Sequence, residues 1–171
     1  MKNNIVLIGF MGIGKGTTAR AFAKRYGVYN IDTDDLIESK ENRKVKKIFE
    51  ADGEPYFRSL EQETSNWLVD NVKGTLISCG GGFYKVDNLR DIGTIVLLDA
   101  SYDWIYNRII NSPNADKKLK KRPLFSRPKE AKRLYKEREK AYRSLADIVV
   151  TVEDKSLDEI LKEIAKRTKI F

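Results

Sequence analysis

Histidine is absent from the 171 residues, and cysteine occurs once, at Cys79. Without histidine there is no Ser-His-Asp triad, no Cys-His pair and no His-ligated zinc. A single thiol cannot close an internal disulfide. Any general base must therefore be a carboxylate, a lysine or a tyrosine. The chain also lacks a run of 18 uncharged apolar residues, which excludes a helical membrane span. Its opening MKNNIVLIGF leads into a strand-like run with no signal-peptide cleavage pattern, so a cytoplasmic location is expected. No internal repeat is visible.

What is present suits one soluble domain spanning 1–171: 41% apolar residues can build a core, and 34% charged residues can cover it. Overall the charge is +8, but it is unevenly placed. Residues 112–143 hold 13 Lys and Arg against 4 Asp and Glu, and the rest of the chain is close to neutral. One basic segment in a small domain fits a lid over an anionic ligand better than a nucleic-acid coat, which would draw on several elements. A solvated charged helix accounts for some of these lysines equally well.

Short β-branched runs alternate with helical patterns. Asn4–Gly9, Val28–Asp32, the TLISC run before Gly80, Thr94–Leu98 and Asp147–Val152 read as five strands, and runs this continuously apolar suit burial on both faces. Between them, Ala19, Phe22 and Ala23 share a helical stripe that stops at Gly27. Phe57, Leu60, Thr64, Trp67 and Leu68 share another within Tyr56–Asn71, and Trp104, Ile105 and Ile109 a third. Ala131, Leu134, Tyr135, Arg138 and Tyr142 form a further stripe, and Ser156 with Glu159 is a capping box opening the last helix. The pattern predicts a three-layer α/β/α fold on a five-stranded parallel sheet, with ligands at the C-terminal strand ends. Residues 111–128 carry three of the four prolines and no usable periodicity, and are expected to form a mobile loop. Trp67 and Trp104 are expected in the core, and Cys79 as a small buried residue.

After the first strand the chain reads Gly9-Phe10-Met11-Gly12-Ile13-Gly14-Lys15-Gly16-Thr17 and enters a helix. This is G-x-x-x-x-G-K in its strand–loop–helix context, a phosphate-binding loop. Glycines let the backbone curl so that successive N–H groups converge on phosphate oxygens, and the helix N-terminus adds partial positive charge. Gly12, Ile13, Gly14, Lys15, Gly16 and Thr17 are the candidate ATP contacts. The residue after the lysine usually carries a Mg²⁺-ligating hydroxyl, and here it is Gly16, as in the loop of adenylate kinases, which this one resembles. Thr17 is the substitute candidate, with Asp32 beside it, for a Mg²⁺ held largely by water and ATP oxygens. Asp32-Thr33-Asp34-Asp35 ends the second strand. One carboxylate there can hold a water on the metal while its neighbour orients an alcohol for in-line attack, although acids at a helix N-terminus need no chemistry to explain them.

The full order of motifs resembles the shikimate kinases over about residues 4–152: G-F-M-G-x-G-K; Asp32-Thr-Asp34; Ile48-Phe49-Glu50 with Gly53-Glu54; Phe57-Arg58-x-x-Glu61; Ser78-x-Gly80-Gly81-Gly82; Arg122-Pro-Leu; and Arg138-x-x-x-Tyr142-x-x-x-Ala146-Asp147. The resemblance implies a P-loop fold of the nucleoside monophosphate kinase type, with an acceptor region near 33–61 and a lid near 112–127. It implies transfer of a phosphoryl group from MgATP to the 3-hydroxyl of shikimate. On the matching residues, Asp34 binds the acceptor and serves as its base, Arg58 and Arg138 clasp its carboxylate, and Gly80, Gly81 and Gly82 offer backbone donors. Lys15 and Arg122 stabilise the transferring phosphoryl, Arg108 packs on adenine, and Glu61 orients Arg58. Phe49 and Phe57 could wall the ring or be ordinary core. The implied partners are ATP and shikimate, with no nucleic acid or membrane, and a monomer is expected. Two other readings stay open from the residues themselves: a kinase of another small acceptor, such as a nucleoside monophosphate or gluconate, and an ATP-binding module without catalysis.

Overall fold

A computed structural model describes residues 3–169. Five strands, β1 (Ile5–Ile8), β2 (Asn30–Asp32), β3 (Leu76–Ser78), β4 (Thr94–Asp99) and β5 (Ile148–Thr151), form one parallel sheet in the order β2-β3-β1-β4-β5. Each falls where the alternation predicts one. β1 is central and buried along its whole length because helices cover both faces. The connections are α1 (Lys15–Tyr26), α2 (Thr33–Glu41), α3 (Val45–Asn71), α4 (Leu89–Ile92), α5 (Tyr102–Ile110), α6 (Ala115–Lys121), α7 (Pro128–Leu145) and α8 (Leu157–Thr168). Ser156 and Glu159 do form the capping box of α8, and Gly27 closes α1 in the left-handed conformation, its N–H donating to Ala23.

Register decides where the chain turns. Leu7 is level with Ser78 across β1 and β3, and Ser78 with Asp32 across β3 and β2. Three segments therefore leave the sheet side by side: the glycine loop after β1, the acids after β2 and the glycine triplet after β3. From β3 the chain crosses to the far side of β1 and adds β4 and β5 there, which opens the crevice where such sheets take ligands.

α3 is two helices joined at Gly53, whose φ of 80° breaks the run, with Pro55 just beyond. Its bend lets Ile48 and Phe57 meet Ile37 of α2 and Leu60, a small apolar cluster separate from the main core. That cluster fixes α2 and α3 against each other without using the sheet.

Two expectations are corrected. Residues 111–128 are not a structureless loop: they contain α6 and a 3₁₀ turn over Pro123–Ser126. The turn is anchored by Phe125, fully buried against Phe10, Tyr102 and Tyr106. A lone apolar anchor among lysines produces no periodicity, which is why the segment reads as loop. Trp67 stands 47% exposed on the outer face of α3, while Leu68 beside it is buried; Trp104 is half-buried.

Asn4 closes the opposite end of the sheet. Its amide donates to the carbonyls of Val72 and Ile92, both at 2.9 Å, and accepts from the Thr75 N–H at 3.1 Å. The site is sealed from water, so removal strands three backbone groups that nothing else can satisfy. Asn4→Ala is expected to cost about 3 kcal/mol in urea unfolding with an unchanged m-value, and a loss below about 1 kcal/mol would show that the amide is dispensable.

Candidate active site

The glycine loop has the backbone that phosphate binding demands. Gly12 and Gly14 sit at φ of 83° and 104°, left-handed values that L-residues rarely adopt. The Thr18 N–H is the first to close a helical bond, onto Gly14, so the amides of Lys15, Gly16 and Thr17 point out of the helix end without intrahelical partners. The Ile13 side chain is buried, and its amide donates within the loop to Phe10 at 3.2 Å. The loop rests on an aromatic floor: Phe10 packs edge-on against Phe125 and Tyr135.

Lys15 bends over this loop, its ammonium donating to the carbonyls of Gly9 (2.6 Å) and Phe10 (3.2 Å). Burial pushes its pKa down to about 8, although Cys79, Asp34 and Asp32 pull the other way, and Arg122 adds repulsion. Arg108 donates to the Gly12 carbonyl at 2.9 Å, and its guanidinium lies over Trp104. Burial and then Arg108 hold the Arg122 guanidinium below its usual pKa. None of Lys15, Arg108 and Arg122 has an ion pair among the described residues. Three cations facing a ring of amide donors form a site that an anion of high charge completes.

Across the crevice the triplet meets three charged side chains, one glycine to each. A Cβ on Gly80 would collide with the Asp34 carboxylate, one on Gly81 would lie 2.6 Å from an Arg138 guanidinium nitrogen, and one on Gly82 would collide with the Arg58 guanidinium. The sequence-predicted acceptor residues from α2, α3 and α7 are thus brought to one place. Asp34 is held there twice. The Asp32 carboxylate caps α2, accepting from the amides of Asp34 and Asp35 at 3.0 and 3.3 Å, and the Gly80 amide donates to the buried Thr33 hydroxyl at 2.9 Å. Burial pushes the Asp34 carboxyl up to about 7, helped by Asp32 and Glu61 and opposed by Lys15.

Arg58 is gripped from both sides, by Glu61 at 2.6 Å and Glu54 at 2.8 Å. Burial alone would lower its pKa, but the two carboxylates hold it raised. Glu61 is 1% exposed, and burial raises its pKa against the pull of Arg58. Arg138 has no ion pair among the described residues; it lies between Gly81 and Tyr142. Phe49 and Phe57 pack with their rings tilted by 39° and centroids 4.7 Å apart, Phe57 under the Arg58 guanidinium, half-buried and buried respectively.

For a divalent metal, the described residues hold no group of three acids. Thr17, exposed at the head of α1, and the second oxygen of Asp32, which caps no amide, are the candidate oxygen ligands. So sparse a set fits Mg²⁺, which keeps most of its own water.

Glu54, Thr33 and Tyr142 are parts of this arrangement to which the motifs give no role. Glu54 lies four residues before Arg58 on one helix, a spacing from which the pair can be read. Thr33 and Tyr142 lie within the motifs, but they act on Gly80 and Gly81, 47 and 61 residues away, and no local pattern shows those bonds.

The family model for shikimate kinase matches residues 11–169. The chain belongs to the shikimate kinase family. A shikimate kinase from Sulfurihydrogenibium is 37% identical over 97% of this chain and 98% of its own. Among solved structures, the shikimate kinase of Aquifex aeolicus is 33% identical and superposes with a TM-score of 0.77, over 97% of this chain and 96% of that one. The shikimate kinase of Acinetobacter baumannii in complex with shikimate is 26% identical with a TM-score of 0.74, over 96% and 91% of the two chains. The sheet order described above is thus the shikimate kinase fold, and the expected P-loop architecture stands.

The raised carboxyl has a thermodynamic consequence. Asp34 keeps its proton to about pH 7 when folded and releases it near pH 4 when unfolded. The unfolded chain gives up that proton first, so the fold loses stability as pH rises through this window. Asp34→Asn should therefore stabilise the ligand-free protein at pH 8 by about 2 kcal/mol, discounted from the bare shift because water and Lys15 relax around the charge. The advantage should shrink toward zero as the pH approaches 4. Denaturant titrations across this range check it, and an advantage that does not change with pH would contradict the burial argument.

Proposed function

We propose that this chain transfers the γ-phosphoryl group of ATP to the 3-hydroxyl of shikimate, making shikimate 3-phosphate for aromatic amino-acid biosynthesis. The observation that carries the reading is the triplet Gly80–Gly82, one residue each against Asp34, Arg138 and Arg58, beside the loop that presents Lys15. A carboxylate and two guanidinium groups around a side-chain-free backbone suit a small polyol acid. The arginines take its carboxylate in charge-assisted hydrogen bonds, and Asp34 takes its alcohol.

Phosphoryl transfer asks the protein for alignment and charge rather than covalent bonds. Asp34, poised near neutral pH, accepts a hydrogen bond from the attacking hydroxyl, orients it and takes its proton as the new bond forms. Its proximity to Lys15 brings acceptor and phosphate tail together. Lys15, the amides of Gly12 and of Gly14 to Thr17, and Arg122 face the charge that develops on the transferring group. Arg108, over Trp104 and against the Gly12 carbonyl, bounds the nucleotide side, where adenine stacks on its plane. Phe49 and Phe57 back the acceptor's carbocycle. Thr17 and Asp32 would hold Mg²⁺, which when bound supplies charge neutralisation to the outer phosphates. Glu54 and Glu61 pre-orient Arg58, so less rotamer freedom is lost when substrate arrives.

Residues 112–127 act as the lid. Phe125 anchors its C-terminal end while the lysines of α6 and Arg122 close over the phosphates and exclude water. This use absorbs the basic excess without nucleic acid. The described residues include no helix long and apolar enough to cross a membrane. We take the protein to be a single-domain cytoplasmic monomer.

A coupled assay of ADP release with MgATP and shikimate, with gluconate and nucleoside monophosphates as parallel acceptors, tests the reading. Shikimate alone should support turnover, and Asp34→Asn should bind ATP as tightly as the native enzyme while turnover drops by at least about a hundredfold. Turnover with another acceptor at equal or higher kcat/KM, or tight ATP binding with no ADP formed from shikimate, would overturn it.

A further inference from the structure

Tyr142 has no part in the reaction as described, yet its surroundings are those of the acceptor site. It lies on α7 one turn after Arg138 and is 4% exposed. Its hydroxyl donates to the Gly81 carbonyl at 2.7 Å, a bond that spans 61 residues of sequence. Its ring stands edge-on to Tyr84, just beyond the triplet, with centroids 5.1 Å apart. An Arg138 guanidinium nitrogen and the Tyr142 hydroxyl lie 2.6 and 4.0 Å from where a Cβ on Gly81 would stand, so both groups bear on the same glycine. Burial raises the phenol pKa to about 12, so the group stays a proton donor at any working pH.

A peptide unit is planar and trans, so its C=O and the following N–H point in opposite directions. Fixing the Gly81 carbonyl toward α7 therefore turns the Gly82 N–H away from α7, and that N–H has no partner among the described residues. Glycine backbone holds no preferred orientation by itself. The turn that Phe83 closes onto Gly80 confines this peptide from within the loop, and the Tyr142 hydroxyl is the side-chain group that holds its carbonyl.

We propose that Tyr142 is a positioning residue of the acceptor site: its hydroxyl sets the Gly81–Gly82 peptide and the place of Arg138, and so the affinity for the acceptor's carboxylate. This rests on the reading of that site as the acceptor site. Tyr135 on the same helix is the natural control, because its hydroxyl makes a matching bond to the Ala100 carbonyl at 2.7 Å, away from the triplet.

The test compares Tyr142→Phe with Tyr135→Phe, each keeping its ring. Tyr142→Phe should raise the KM for shikimate about fivefold to tenfold, the worth of one hydrogen bond, with the KM for ATP unchanged and kcat within about twofold. Tyr135→Phe should lower the melting temperature comparably and leave the shikimate KM alone. In the ligand-free protein, the Gly82 amide and Arg138 side-chain NMR signals should shift in Tyr142→Phe and stay in place in Tyr135→Phe. A Tyr142→Phe enzyme with native shikimate KM, or unmoved Gly82 and Arg138 signals, overturns the proposal. The NMR arm needs no acceptor, so shifted signals in a protein that does not turn over shikimate would count against the acceptor reading alone.

Discussion

Three charged side chains from three helices can meet in one small space only where the intervening chain contributes no side chains of its own. The segment 80–82 meets that condition. Each of its Cα atoms lies so close to Asp34, Arg138 or Arg58 that a methyl group would displace the charged group. Glycine costs backbone entropy and lowers local stiffness, and the protein offsets both by tying the segment from outside: Thr33 accepts from Gly80, Tyr142 donates to Gly81, and Phe83 closes a turn back onto Gly80. The flexible backbone is thereby converted into a fixed surface.

The electrostatics follow from the same crowding. Among the described residues, Lys15, Arg108 and Arg122 form no ion pair on the phosphate side and Arg138 forms none on the acceptor side, while Asp34 is driven toward neutrality by burial and by neighbouring acids. A folded protein tolerates such an arrangement because one large core, which reaches up to Phe10, Phe83 and Tyr142 beside the site, carries the fold, and because Asn4 secures the far end of the sheet. The strain of unpaired charge is concentrated where ligands relieve it. Arg58 is the exception, already paired with Glu54 and Glu61, so the acceptor meets one guanidinium that is held in place and one that still lacks an anion.

The fold was legible because its signals are local. β-branched runs ending in glycine or acid, helical stripes, the Gly27 cap and the capping box at Ser156 each report on a few adjacent residues, and the structure has all of them. The phosphate loop was legible for the same reason, since its lysine and glycines act within one turn of chain. Grouping Asp34, Arg58, Arg138 and the triplet needed the family resemblance, because register between β2 and β3 is a property of the sheet and leaves no trace in any one strand. The segment 111–128 was misread because Phe125 anchors it by contacts with Phe10, Tyr102 and Tyr106, each far away in sequence. Trp67 was misread because it stands one residue before Leu68 at the margin of the helical stripe, where a small rotation decides between core and solvent.

The claim on which the account turns is that bare backbone at Gly81 is what lets Arg138 reach the acceptor. Calorimetric titration of Gly81→Ala with shikimate and, separately, with MgATP tests it most directly. The added methyl meets only the end of a flexible side chain, so the protein should fold normally. Shikimate affinity should then fall by at least about tenfold, the loss of one charge-assisted contact, while ATP affinity stays within about twofold. Native shikimate affinity in a correctly folded Gly81→Ala protein would contradict the account.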